Sequence, residues 1–403
     1  MLTQIDGIGI IGNGFVGAAI AAGFSPTCKV RIYDKNELRS LNTLDDTINL
    51  SDVVFVSVPT PMNDDGSINL GIVESVFEEI STKLTNPDCA IVLKSTVVPG
   101  TTKRLSEKYP NLNVVYNPEF LTERKAHFDF NNQSRIVLGG KLQNLDLITQ
   151  VYEERFMHCN FVKTDTTTAE FIKYFGNLFF AVKVSFANEM KMMATKLGVN
   201  WDEALYGFVA DGRVGDSPLH VPGPDGKMGF GGSCFPKDTK AAIVTGDFFN
   251  TDLSIIKAVV KSNEKRRVIL TQRISKILSN KIKNKKITFL GVTFKPNTDD
   301  MRQSSSLFMI PFLIKKGAII KYYDPSGIKE EFSKLKNISF CNNVIDACRQ
   351  ADLVIIHTEW EEFKALDFKK LYKEKKFKIF DMRNLYSVKL MKRNGFTYYS
   401  IGR

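Results

Sequence analysis

The sequence predicts an α/β fold: two doubly wound parallel sheets joined by a long central helix and a helical middle domain. Three observations carry this. Short, continuously apolar runs alternate with helical patterns through the first part of the chain, as in sheets covered on both faces. A long proline-free stretch follows. The alternation then returns from Lys285 onward, in an order that echoes the first half.

Gly7–Ile11, Val30–Tyr33, Asp52–Val58, Cys89–Lys94, Val114–Tyr116 and Arg135–Leu138 read as the strands of the first sheet. Thr164-Asp-Thr-Thr-Thr168 then offers helix N-caps and Gly198 a stop. The roughly 30 residues between them predict a helix of about 45 Å. That is long enough to link domains and present a dimer surface. Its aromatics, Phe171, Tyr174, Phe175, Phe179, Phe180 and Phe186, fit core and interface better than a ligand box. Residues 199–250 read as irregular and glycine-rich, and Lys257–Ser279 as helical. Ile287–Gly291, Ile319–Tyr323, Leu353–His357 and Lys378–Asp381 read as the second set of strands. Gly291 followed by Tyr323-Asp324 parallels Gly12 followed by Tyr33-Asp34, and Asp352-Leu-Val-Ile-Ile356 parallels Asp52-Val-Val-Phe-Val56.

Composition narrows the function classes. The 403 residues suffice for two or three domains, and 43% apolar content is that of a globular chain. No apolar run is long enough to span a bilayer, and Met1–Asp6 lacks the basic start of a signal peptide. Six cysteines without a C-x-x-C pair predict reduced thiols in a cytoplasmic setting. Four scattered histidines form no zinc-binding pattern, so no metal is expected. Much of the net charge of +11 gathers between Lys257 and Lys286. No nucleic-acid-binding motif accompanies it, so it reads as a solvated lysine-rich face.

Gly12-Asn13-Gly14-Phe15-Val16-Gly17 follows a strand and opens a helix, and Asp34 ends the next strand. This order is that of a dinucleotide site: a tight turn, close approach to the pyrophosphate and a carboxylate for the ribose hydroxyls. Asp34 disfavours a 2′-phosphate, so NAD is expected, with Lys35 beside it. Val58-Pro59-Thr60-Pro61 and Ser95-Thr96-Val97 follow strand ends, where open α/β sheets bind ligands. Glu119 and Glu123 in Asn117-Pro-Glu-Phe-Leu-Thr-Glu123 would share a face if helical. Glu170, Lys173 and Asn177 line one side of the long helix, an ammonium and an amide suited to a developing oxyanion. Gly229-Phe-Gly-Gly-Ser-Cys-Phe-Pro-Lys-Asp238 is the most informative stretch. A helix beginning at Cys234 would place its thiol at the positive end of the dipole, which favours a nucleophilic thiolate. Asp238 would lie one turn later on the same side.

Together, and in order along essentially the whole chain, these segments resemble the UDP-glucose 6-dehydrogenase family within the nucleotide-sugar dehydrogenases. The markers are the glycine fingerprint, Asn-Pro-Glu-Phe-Leu-x-Glu, Lys-x-x-x-Asn, the cysteine segment and Gly291-Val-Thr-Phe-Lys-Pro-Asn-Thr-Asp-Asp-Met-Arg302. The resemblance implies Rossmann-like domains at 1–162 for NAD and 266–403 for the nucleotide sugar, with a dimerising, cysteine-bearing domain at 163–265 between them. It implies a four-electron oxidation of UDP-glucose to UDP-glucuronate through a thiohemiacetal and thioester on Cys234, with two NAD reduced. It also implies roles: Lys173 and Asn177 on oxyanions, Asp238 and Thr96 on a water, Glu123 as general base and Glu119 in support. Substrate contacts fall on Glu119, Phe120, Leu121, Thr122, Glu123, Lys173, Asn177, Phe230, Gly231 and Lys295. Arg213 matches an arginine reaching the substrate of a neighbouring subunit, Arg302 a cofactor-side arginine and Arg383 a phosphate-binding one. Cofactor contacts extend from the fingerprint to Asp34, Lys35, Pro59, Thr60, Thr96 and Glu123. Val221-Pro-Gly-Pro-Asp-Gly226 makes one loop longer than in some members, bordering the nucleotide end.

Three other readings are weighed against this one. A relative acting on GDP-mannose or a UDP-N-acetylhexosamine would keep the same mechanism. A single-step hydroxyacid dehydrogenase would need no Cys234. A nucleic-acid-binding protein on a relic fold has only the net charge behind it. The expected partners are UDP-glucose and a second copy of the chain, with no nucleic acid and no membrane.

Overall fold

The computed structural model describes residues 5–401 apart from 158, 216, 222, 224–227, 233, 302–303 and 373–374, together with the side chain at 267. The chain divides into two units, Met1–Leu178 with Lys237–Leu253, and Phe179–Pro236 with Ser254–Arg403.

From the N-terminus run β1 (Gly7–Ile11), α1 (Phe15–Phe24), β2 (Lys29–Tyr33), α2 (Leu44–Asn49), β3 (Val53–Val56), α3 (Gly71–Lys83) and β4 (Ala90–Leu93). Next come α4 (Thr101–Lys108), β5 (Asn113–Tyr116), α5 (Ala126–Asn131), β6 (Arg135–Gly139), α6 (Leu142–Glu153), β7 (Asn160–Thr164) and α7 (Thr166–Leu197). The sheet order is β2-β1-β3-β4-β5-β6-β7. Its first five strands are parallel, while β6 meets β5 antiparallel and carries β7 with it. The central strands are apolar throughout because both faces are covered: Val53 and Phe55 pack into one layer, Val54 and Val56 into the other. The strand order reverses between β1 and β3, which sets Gly12 and Ser57 at the crevice where such sheets bind ligands.

The long helix is present as α7, 32 residues. Asp165 caps it, accepting from the Thr168 main-chain N–H at 2.9 Å and the Thr168 hydroxyl at 2.6 Å. Gly198, at φ 71°, ends it, with Val199 N–H reaching back to Ala194 O. Of its aromatics Tyr174 is buried, whereas Phe171, Phe175, Phe179, Phe180 and Phe186 are exposed.

Beyond α7 lie α8 (Trp201–Val209), α9 (Phe235–Phe248), α10 (Ser254–Ile277), β8 (Lys286–Leu290), α11 (Ser306–Lys315), β9 (Ile319–Tyr323) and β10 (Ile338–Phe340). The chain closes with α12 (Val344–Cys348), β11 (Leu353–Ile356), α13 (Phe368–Leu371), β12 (Lys378–Asp381), α14 (Val388–Arg393) and β13 (Tyr398–Ser400). The second sheet is parallel, in the order β10-β9-β8-β11-β12-β13.

The echo between the halves is physical. Asp34 accepts from the Asn13 N–H and Asp324 from the Val292 N–H, each at 2.7 Å, after the glycine that ends the first strand of its sheet. Asp52 and Asp352 likewise take the main-chain N–H of Gly7 and Lys286 at the strand starts. Two expectations need correcting. Residues 199–250 are not irregular throughout, since α8 and α9 both fall there. Asn200 starts α8 by accepting from the Asp202 N–H, and α9 starts once the glycines are past. Glu119 and Glu123 do not share a helical face, because 117–122 is non-helical and Glu123 opens a short 3-10 turn.

Candidate functional site

The cofactor cradle follows from three glycines. Gly12 has φ 94°, and a Cβ there would lie 2.7 Å from Ser57 O. A Cβ on Gly17 would sit 2.0 Å from Gly12 O, so only glycine lets α1 approach its own turn this closely. Gly14, just before α1, faces open space. Main-chain N–H groups at a helix start facing free space are what a pyrophosphate requires, so the residues present fit a dinucleotide. Asp34 ends β2 with its carboxylate on the Asn13 N–H, and Asn13 Nδ2 donates to Arg39 O at 2.8 Å. Lys35 follows Asp34 on an exposed rim, with Phe15 partly exposed on α1. The loops after β3 and β4 are tied together: Thr60 Oγ1 donates to Thr96 O at 2.9 Å, and Ser95 Oγ to Val58 O at 2.7 Å. Thr96 and Pro59 are thus held at the strand ends.

The first turns of α7 carry the polar cluster of the same unit. Lys173 Nζ donates to Glu119 Oε1 at 2.8 Å and to Glu119 O at 2.6 Å, and both side chains are buried. Glu119 Oε2 accepts from the Leu121 N–H, which fixes the carboxylate. The Phe120 ring lies 5.6 Å from Lys173 Nζ and 4.1 Å from the Arg135 guanidinium. One turn along, Asn177 Nδ2 donates to Asp238 Oδ2 at 2.6 Å, while Lys237 Nζ takes Asp238 Oδ1 at 2.7 Å. Glu170 turns to a different task, accepting from Gly100 N–H, Thr102 N–H and the Thr102 hydroxyl at the start of α4. Burial raises its pKa against these hydrogen bonds. The structure therefore brings Lys173 to Glu119 and Asn177 to Asp238. Glu123 and Thr122 are exposed and Leu121 half-buried, so the carboxylate at Lys173 is Glu119 and not Glu123.

In the second unit Cys234 is half-buried, outside any disulfide, and immediately precedes α9. Its expected place at a helix N-terminus is met, with Lys237 and Asp238 in the first turn. Ser233 before it, Arg302, and the loop residues 222 and 224–227 lie outside the described residues. A pocket in this unit is lined in part by Phe230, Gly231, Asn263, Phe294, Ser305 and Arg383. Asn263 on α10 sets its wall: Oδ1 accepts from the Phe230 N–H at 2.9 Å and Nδ2 donates to Phe230 O at 2.8 Å. Gly229, at φ 79°, is required beside it, since a Cβ would fall 2.4 Å from Asn263 Oδ1. Arg383 is buried and ion-paired to Glu359 at 3.0 Å. Lys295 is half-buried. Arg213 is exposed and held by Asp211, with Nε 2.9 Å from Oδ1.

Sequence reasoning missed Asn263, hidden in a lysine-rich helix, and Lys94, whose only signal was a charge closing a wholly apolar strand. It named Asn117 only as part of a motif. Among the described residues no His/Cys/Asp/Glu cluster suits a metal, and no helix is long and apolar enough to cross a membrane.

A glycine cradle at the switch point of a doubly wound sheet, with a buried lysine–carboxylate pair in the same unit, defines a dinucleotide-dependent oxidoreductase. The chain belongs to the UDP-glucose/GDP-mannose dehydrogenase family: the NAD binding domain matches residues 27–156, the central domain 167–265 and the UDP binding domain 288–388. It is 36% identical over 378 residues to a UDP-glucose 6-dehydrogenase of Rickettsia felis, covering 92% of this chain and 83% of that one. It is 37% identical over 380 residues to a UDP-glucose 6-dehydrogenase of Rhizobium meliloti, covering 90% and 85%. A solved UDP-glucose dehydrogenase from Pyrobaculum islandicum superposes with a TM-score of 0.80 at 28% identity, covering 100% of this chain and 98% of that one.

Proposed function

We propose that this chain oxidises the CH2OH group of UDP-glucose to the carboxylate of UDP-glucuronate, with NAD as cofactor. The observation that carries the reading is the buried grip of Lys173 on Glu119, one turn along α7 from Asn177, which donates to Asp238, in the unit that holds the dinucleotide cradle. Bound NAD supplies the hydride acceptor at each of two oxidation stages. The chain's own groups handle protons, oxyanions and the covalent stage. At the alcohol stage the hydroxyl proton leaves to a carboxylate or through Lys173, and Lys173 and Asn177 donate to the oxygen as charge develops on it.

Cys234 Sγ then adds to the aldehyde carbon and keeps the reactive intermediate attached. The second hydride leaves from that carbon to give a thioester, and water breaks the C–S bond, releasing the carboxylate and returning the thiol. Asp238, with Thr96, orients this water. Thr60 and Pro59 hold the cofactor side, and Asp34 takes the ribose hydroxyls. Phe230, Gly231, Lys295 and Arg383 bind the nucleotide end of the substrate, with Arg213 serving a second copy of the chain. The domains divide this labour at 1–162, 163–265 and 266–403.

A second copy is also our reading of the exposed aromatic face of α7, where Phe171 and Phe175 stack at 6.1 Å between centroids. A cytoplasmic setting fits six cysteines outside disulfides. The test is turnover of purified chain with NAD and, separately, UDP-glucose, GDP-mannose and a UDP-N-acetylhexosamine. Oxidation of UDP-glucose with the highest kcat/KM supports the reading. Preference for either of the others overturns the substrate, and no oxidation of any overturns the function.

A further inference from the structure

Lys94 is almost wholly buried. Neighbouring strands put it there: Leu93 at the end of β4 registers with Tyr116 at the end of β5, so Lys94 and Asn117 emerge side by side. Lys94 Nζ donates to Asn117 Oδ1 at 2.9 Å and lies 3.5 Å from Pro118 O and from Tyr152 Oη. Tyr152 Oη donates to the same Asn117 Oδ1 at 2.6 Å, and Asn117 Nδ2 donates to Val137 O at 2.7 Å. Every polar atom of the Asn117 side chain is engaged, and Glu119, on Lys173, is two residues further on.

We propose that Lys94 is a positioning residue for the reaction, acting through Asn117 and Pro118 to hold Glu119 against Lys173. The proposal rests on the reading that Glu119 and Lys173 serve the oxidation. The contacts of Lys94 itself are neutral oxygens, and burying an ammonium on neutral acceptors is costly. A neutral amide or an apolar side chain would fill a merely structural position at lower cost. What a lysine adds is a third charge facing the pair: it attracts Glu119 and is repelled by Lys173. Burial lowers its pKa to about 7. Around neutrality it therefore changes between a charged form, which grips Asn117 and Pro118 and adds attraction for Glu119, and a neutral form, whose weaker grip leaves that segment less firmly set against Lys173. The groups facing it are Glu119 and Lys173, with the Tyr152 phenol, whose pKa burial raises.

The test compares wild type, Lys94→Met, Lys94→Gln, Glu119→Gln and Lys94→Met/Glu119→Gln by steady-state kinetics with NAD and UDP-glucose from pH 5.5 to 9. Turnover by wild type together with a loss of kcat in Glu119→Gln shows that the underlying reading stands, so the Lys94 variants then judge Lys94 alone. Lys94→Met is expected to lower kcat roughly 10- to 100-fold, leave both KM values within about threefold and remove an inflection near pH 7. Lys94→Gln, which can still donate to Asn117, recovers part of kcat but not the inflection. In the Glu119→Gln background Lys94→Met costs no more than about twofold further, because both act on one group. Unchanged kcat in Lys94→Met, an inflection that persists in Lys94→Gln, or fully multiplicative losses in the double variant would each overturn the proposal. If Lys94→Met does not fold, the pH profile of Lys94→Gln decides.

Discussion

Lys173 holds Glu119 at two points, the carboxylate at 2.8 Å and the main-chain oxygen at 2.6 Å, with both side chains out of solvent. A double grip fixes the residue's backbone as well as its charge. Under the proposed function this favours Glu119 over the exposed Glu123 as the carboxylate for proton handling.

Glu119→Gln preserves volume and an acceptor for Lys173 but removes the proposed base. Its kcat should fall by about 100- to 10,000-fold, with the KM for NAD within a few-fold. Glu123→Gln should cost less than about tenfold. Steady-state kinetics of the two variants make the comparison, and the opposite order would return the base to Glu123.

The cradle glycines should separate folding from binding. Gly17→Ala places a methyl 2.0 Å from Gly12 O and should cost several kcal/mol in urea unfolding, about 2–4 by the usual scale of overpacking and backbone strain. Gly14→Ala meets no protein atom, so its unfolding midpoint should match wild type while its affinity for NAD drops at least about tenfold. Equal destabilisation by both would contradict the geometry.

Glu170 accepts from three donors at the start of α4. Glu170→Ala leaves them without an acceptor inside the unit and should destabilise by about 2–4 kcal/mol in chemical denaturation. Glu170→Gln, which keeps one carbonyl oxygen, should recover part of that loss.

Lys94 has its folded pKa lowered from 10.5 to about 7 by burial. Between those values the unfolded chain binds the extra proton, so over that window this group makes stability rise with pH, and the loss is complete and levels off once pH falls below about 7. The slope approaches 1.4 kcal/mol per pH unit, roughly one proton's worth. Urea unfolding at several pH values from 7 to 9.5 should show wild type gaining stability relative to Lys94→Met by about that slope. Parallel curves would mean that Lys94 titrates as in solvent.

Much of this architecture was legible because it rests on short-range rules. Both faces of the central strands are buried, so they are apolar throughout and conspicuous. Positive φ at Gly12 and Gly291 leaves glycine in matching places of the two halves. The edge strands escaped notice for local reasons: β7 and β10 are partly exposed and mixed in composition, and β10 and β13 have only three residues each. The direction of β6 was illegible for another reason, since antiparallel pairing at Tyr116 and Gly139 depends on where a connection leads. In the site, spacing alone suggested that Glu119 and Glu123 share a face. Pro118 and the extended segment after it remove the helix that spacing assumed. The Asn263 clamp on Phe230 pairs residues 33 apart and has no local signature.

The central claim is a double oxidation carried through Cys234. Its most direct test is the amount of NADH formed per UDP-glucose consumed, with excess NAD, for wild type and for Cys234→Ala. The account predicts two NADH per sugar in wild type and loss of net uronate formation in Cys234→Ala. One NADH per sugar in wild type, or full uronate production without the thiol, would contradict it.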